Sequence, residues 1–143
     1  MHRDIAPSNI LLDLKTNRLK LADFGLAKHY ARKGGDDGGL MASQSGVLKS
    51  TFAGTIVYSS PEIVQSEPYS AKADIWSLGC VLYELCALEA AFPGTNPLTI
   101  AKKIVECDYA PLDTSRYSAE LVGFVGRCMT RDASVRPTIT ELS

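Results

Sequence analysis

The sequence predicts a mainly α-helical chain that opens on one short β-hairpin. Three features carry this reading: two short apolar runs close together near the N-terminus, a long apolar segment past the middle, and two later stretches with helical spacing behind a capping residue. The runs NILLD (9–13) and LKLAD (19–23) are separated by the polar stretch LKTNR (14–18), so they fold back on each other as a hairpin. From Lys28 to Ser50 neither period survives. The string KGGDDGGLMASQSG holds five of the eleven glycines, which reads as a mobile loop or a linker between domains.

Beyond Pro61 the pattern turns helical. Over 73–88, Ile75, Trp76, Leu78, Val81, Leu82, Tyr83 and Leu85 cover nearly every face, which predicts a buried helix. Asn96 before Pro97 supplies a cap with proline at the first helical position, and Leu98, Ala101, Ile104 and Val105 predict an amphipathic helix behind it. Ser118 caps a further helix whose stripe is Leu121, Val125, Cys128 and Met129. Thr138 and Glu141 have capping-box spacing, yet the chain stops at Ser143, so the sequence reads as cut off at this end.

With 143 residues and 45% hydrophobic content, the chain is sized for one domain with a real core. Fifteen basic against sixteen acidic residues give no electrostatic ground for a nucleic-acid or membrane-surface partner. Cys80, Cys86, Cys107 and Cys128 match neither zinc spacing nor a small disulfide scaffold and are expected as reduced core thiols. No signal peptide precedes His2 and no apolar run reaches membrane-span length, so an intracellular, cytoplasmic location is expected.

The chemistry concentrates around the hairpin. HRDIAPSN (2–9) and DFG (23–25) lie at its two ends, which lets two carboxylates and an amide converge on one point. Phosphoryl transfer needs such a group: hard oxygen ligands for magnesium and a carboxylate to orient the attacking hydroxyl. Taken singly, Asp4 could equally be a helix or turn cap and Asn9 a turn residue.

In this order and spacing the motifs resemble the eukaryotic protein kinases. The resemblance implies a kinase-like C-terminal lobe, cut at both ends and covering 1–143, that uses ATP and Mg2+ on protein substrates. It makes Asp4 the catalytic base, Asn9 and Asp23 the magnesium and nucleotide ligands, and Leu11 the floor under adenine. His2 and Phe24 would pack beneath the site beside Gly25, and Arg3 would meet a phosphate on the following loop.

The resemblance continues downstream. GTIVYSSPE (54–62) is similar to the segment closing a kinase activation loop, which places Thr55 opposite Asp4 in the substrate groove. Glu62 and Arg136, in RDASVRP (131–137), would pair internally, although Arg136 could on its own be a surface charge. DIWSLGC (74–80) is similar to the start of the family's central helix, with Asp74 reaching back to catalytic-loop amides or simply serving a helix N-terminus. STFAGT (50–55) resembles the NIMA-related kinases, where Thr51 would be the activating phosphosite, with Ser50, Ser43 and Ser45 as weaker candidates. The stretches 66–92 and 103–111 look most like the divergent tenth member of that family.

Two departures stand out. Ala6 occupies the place where serine/threonine kinases carry a lysine, while Ser8 stands where tyrosine kinases carry an arginine, so serine/threonine specificity is expected and dual specificity stays open. A glycine-rich phosphate loop, a VAIK-like lysine and its partner glutamate are absent from these 143 residues. Little activity is therefore expected of this chain by itself, together with an apolar face for the missing N-lobe or a partner to cover. The alternatives are a pseudokinase-like or scaffold module and, further off, an unrelated magnesium hydrolase.

Overall fold

The computed structural model describes residues 1–25 and 56–142. A 3-10 turn at Pro7–Asn9 leads into strand β1 (Ile10–Asp13), which pairs antiparallel with β2 (Arg18–Leu21). Ile10 stands opposite Leu21 and Leu12 opposite Leu19, so these four apolar residues share one face. The turn at 14–17 is held by Asp13, whose Oδ1 accepts the Lys15 amide and whose Oδ2 accepts the Thr16 hydroxyl. Asn17 takes the left-handed conformation there, which asparagine tolerates better than most residues.

Both strands are shorter than the apolar runs. At one end, Asn9 is drawn into the 3-10 turn by its amide bond to the Ala6 carbonyl. At the other, Asp23 adopts a left-handed φ of 57°, which ends the extended run.

After a second 3-10 turn at Ile56–Tyr58 come five helices: α1 (Pro61–Val64), α2 (Lys72–Ala87), α3 (Pro97–Glu106), α4 (Ala119–Cys128) and α5 (Ile139–Leu142). The element set is the expected one: mainly α with one hairpin. Helix α2 packs against α4 and against the Ile56–Tyr58 turn, which also meets α3, while α1 packs on α3. Trp76 stacks on Phe92 at 5.8 Å between centroids, and Tyr109 meets both Phe92 and Tyr83 edge-on. Gly79 sets the spacing of α2 and α4. A Cβ there would lie 2.7 Å from Met129 Cγ and 2.8 Å from Cys128 Cβ.

Two apolar assignments need correction. Helix α2 is not buried all round: Leu85 points away from the aromatic cluster and is 67% exposed. In α3 the buried positions are Ile100 and Ile104, one helical turn apart, while Leu98 is 79% exposed. Leu98 instead contributes its amide, which donates to the Asn96 side chain at 2.9 Å. Ser118 caps α4 in the same way through Leu121, and the Thr138–Glu141 capping box closes at the start of α5. All four cysteines are free thiols, Cys80 and Cys128 fully buried. Among the described residues, no helix is long and apolar enough to cross a membrane.

Candidate active site

The loop before β1 is fixed by a helix more than seventy residues away in sequence. Asp74, in the first turn of α2, accepts the His2 amide on Oδ2 at 2.7 Å and the Arg3 amide on Oδ1 at 2.8 Å. One carboxylate thus holds two successive peptide units, and bonds to a charged acceptor are the stronger class. Arg3 itself has a left-handed φ of 72°, a conformation that costs a non-glycine residue energy and persists because the surroundings enforce it.

His2 ties this loop to the far end of the hairpin. Its Nδ1 accepts the Asp4 amide and its Nε2 lies 3.0 Å from the Ala22 carbonyl, which assigns the proton to Nε2 in a neutral ring. Asp4 is further positioned by Asn9, whose Nδ2 donates to both the Asp4 carbonyl and the Asp4 carboxylate, each at 2.9 Å. With its amide nitrogen engaged, Asn9 keeps its amide oxygen as an acceptor. At the opposite end Asp23 Oδ1 accepts the Gly25 amide at 3.1 Å, and a Cβ on Gly25 would crowd that same oxygen.

Asp4, Asn9 and Asp23 therefore sit on segments linked through His2 and Ala22. The set offers carboxylate and amide oxygens, the donor chemistry that magnesium takes.

Phe24 departs from the expectation of a packed residue. It meets the His2 ring edge-on with 4.7 Å between ring centroids, but the side chain is 62% exposed, since no other ring of the described residues packs on it. Leu11 is 56% exposed on the hairpin face that also carries Asp13, Arg18 and Lys20. Ala6 is buried, at 3%. Arg3 reaches the Tyr69 hydroxyl with its guanidinium. Thr55, Thr51, Ser50, Ser43 and Ser45 lie outside the described residues.

Glu62 and Arg136 meet in a bidentate pair, with both N···O distances 2.7 Å and both side chains buried. The remaining guanidinium protons go to the carbonyls of Thr130, Lys72 and Arg131, so all five donors are satisfied. Trp76 lies under the guanidinium at 5.1 Å. Burial pushes the Glu62 carboxyl up, but the hydrogen bonds and charge of Arg136 outweigh it and hold the carboxyl below its ordinary value.

Sequence reasoning missed a second anchor. The Tyr58 hydroxyl donates to Glu84 at 2.7 Å and the Ser77 hydroxyl donates to the Tyr58 carbonyl at 2.7 Å, which ties the segment before α1 to two points on α2 about two turns apart. Burial and the Glu84 carboxylate raise the Tyr58 phenol far above its usual range. The only sequence signal was a tyrosine in GTIVYSSPE and polar residues on an otherwise apolar helix.

The family model described as "Protein kinase domain" matches residues 1–143. The chain is 41% identical over 143 residues to human serine/threonine-protein kinase Nek10, covering all of this chain and 11% of that protein. It is 45% identical to serine/threonine-protein kinase D1044.8 of Caenorhabditis elegans, over all of this chain and 13% of the relative. Against serine/threonine-protein kinase Nek9 of Xenopus laevis the figures are 43% identity, 99% of this chain and 14% of the relative. The chain thus spans between a tenth and a seventh of these relatives. With the Asp4, Asn9 and Asp23 arrangement standing inside a match that covers the whole chain, the protein belongs to the protein kinase family.

Proposed function

We propose that this chain is part of the catalytic lobe of a serine/threonine protein kinase, which transfers phosphate from ATP to protein hydroxyls once a nucleotide-binding lobe completes it. The observation that carries this is the pair of hydrogen bonds from Asn9 Nδ2 to Asp4, which fixes the carboxylate without using the Asn9 amide oxygen. Asp4 accepts the proton of the attacking hydroxyl and orients it. Asn9 and Asp23 hold Mg2+, which neutralises charge on the transferring phosphoryl group. Leu11 lies under the adenine ring, Thr55 lines the substrate groove, and Arg3 meets the phosphate of a modified Thr51, or of Ser50 in its place. His2, Phe24, Gly25, Asp74 and the Glu62–Arg136 pair act by holding these groups in position. The site of action is cytoplasmic.

The second reading, a non-catalytic module, is favoured by Ala6, which is buried where the resemblance calls for a lysine. A chimera that places a relative's upstream lobe before His2 separates the two. The catalytic reading expects phosphoserine or phosphothreonine on a protein substrate, lost on Asp4→Asn. Turnover unchanged by Asp4→Asn, or phosphotyrosine alone, would overturn it.

A further inference from the structure

A groove of about 450 Å3 runs between α4 and the segment that follows α3, on a different part of the molecule from the hairpin. This volume falls in the range that takes small ligands. Its walls are apolar, with Leu112 on the connecting segment and Val122, Val125 and Met129 on the helix. Gly126 opens the space between them: a Cβ there would meet no atom within 4 Å, so close packing does not account for the glycine. A glycine inside a helix is destabilising relative to alanine, and here it keeps a slot clear.

The polar groups gather at one end. The Cys107 thiol donates to the Met129 carbonyl and the Thr130 hydroxyl to the Gly126 carbonyl, so both are engaged with the backbone. Arg131 is different. It is exposed, lines the groove, and its side chain forms no ion pair among the described residues. No acidic residue lines the groove, and the carboxylate of the neighbouring Asp132 is held by the Ser134 amide and hydroxyl. An apolar slot ending at one cation complements a molecule with an apolar body and one anionic end.

We propose that this groove binds a linear aliphatic carboxylic acid, its chain along Leu112, Val122 and Gly126 and its carboxylate on the Arg131 guanidinium. The test titrates decanoate and, in parallel, uncharged decanol into the 143-residue chain while following backbone amides by NMR. Saturable shifts confined to α4 and its flanking segment are expected with decanoate. Arg131→Gln should weaken decanoate about tenfold and leave decanol unchanged, and Gly126→Leu should weaken both about tenfold without lowering the unfolding midpoint. Arg131→Gln is a surface change, so its result stands even if Gly126→Leu does not fold. Shifts centred on the hairpin leucines, or decanoate binding indifferent to Arg131→Gln, would overturn the proposal.

Discussion

Replacing Arg136 by alanine removes the most heavily bonded side chain described in the molecule. The guanidinium satisfies Glu62 twice and three backbone carbonyls once each. Without it, Glu62 is left as an unpaired carboxylate on a residue only 7% exposed. Removing one partner of such a pair costs about 3–5 kcal/mol, against a total stability of about 5–15 kcal/mol for an ordinary domain. The assay is urea unfolding followed by far-UV circular dichroism and by fluorescence of Trp76, the single tryptophan, which the guanidinium covers. With a slope of about 2 kcal/mol per molar urea, the midpoint should fall by about 2 M. Glu62→Gln should cost a similar amount, and the double variant Glu62→Gln/Arg136→Ala less than the two single losses added, because neither charge is then stranded. A cost below about 1 kcal/mol for Arg136→Ala, or additivity in the cycle, would refute the reasoning.

Three further outcomes follow from the same contacts. The Glu62 carboxyl is held below its ordinary 4.5, so its contribution is fully present above about pH 4.5 and is lost as pH falls through the lower native value. The urea midpoint of the parent chain should therefore fall more steeply below pH 4.5 than that of Glu62→Gln. Gly79→Ala drives a methyl into Met129 and Cys128 and should cost about 1–3 kcal/mol, read as a lower thermal midpoint. Asp74→Ala strands the His2 and Arg3 amides, and should cost about 2 kcal/mol while abolishing phosphoryl transfer in the chimera. Activity retained there would show that Asp74 serves only its helix.

What was legible in the sequence was local or paired by motif. The Asn96 and Ser118 caps and the Thr138–Glu141 box are decided within four residues, and the structure forms all three. The hairpin followed from two apolar runs, although its ends depended on the bond from the Asn9 amide to the Ala6 carbonyl and on the backbone of Asp23. Helix faces were less legible, because periodicity gives the stripe but not its orientation. Leu98 fits the α3 stripe as well as Ile100 does, and only burial in the shared core chose Ile100. Gly79 carried no signal at all, since its role is set by residues fifty positions later. The Tyr58–Glu84 bond was hidden for the same reason.

The long-range contacts decide how robust the site is. Asp4 and Asn9 are held by each other, but the loop that presents them is held by Asp74, and Asp74 is fixed because α2 is packed on α4 at Gly79 and on Phe92 through Trp76. The same helix carries Ser77 and Glu84, which anchor Tyr58, and it accepts Arg136 through the Lys72 carbonyl. The loop that carries Asp4 and the Tyr58 segment thus both hang from one helix. By contrast, Phe24 and Leu11, on and beside the hairpin, are exposed and are fixed by little in the described structure. A core substitution such as Phe92→Ala should therefore displace the Asp4 end together with the Tyr58 segment, whereas the hairpin end depends on whatever covers Phe24 and Leu11.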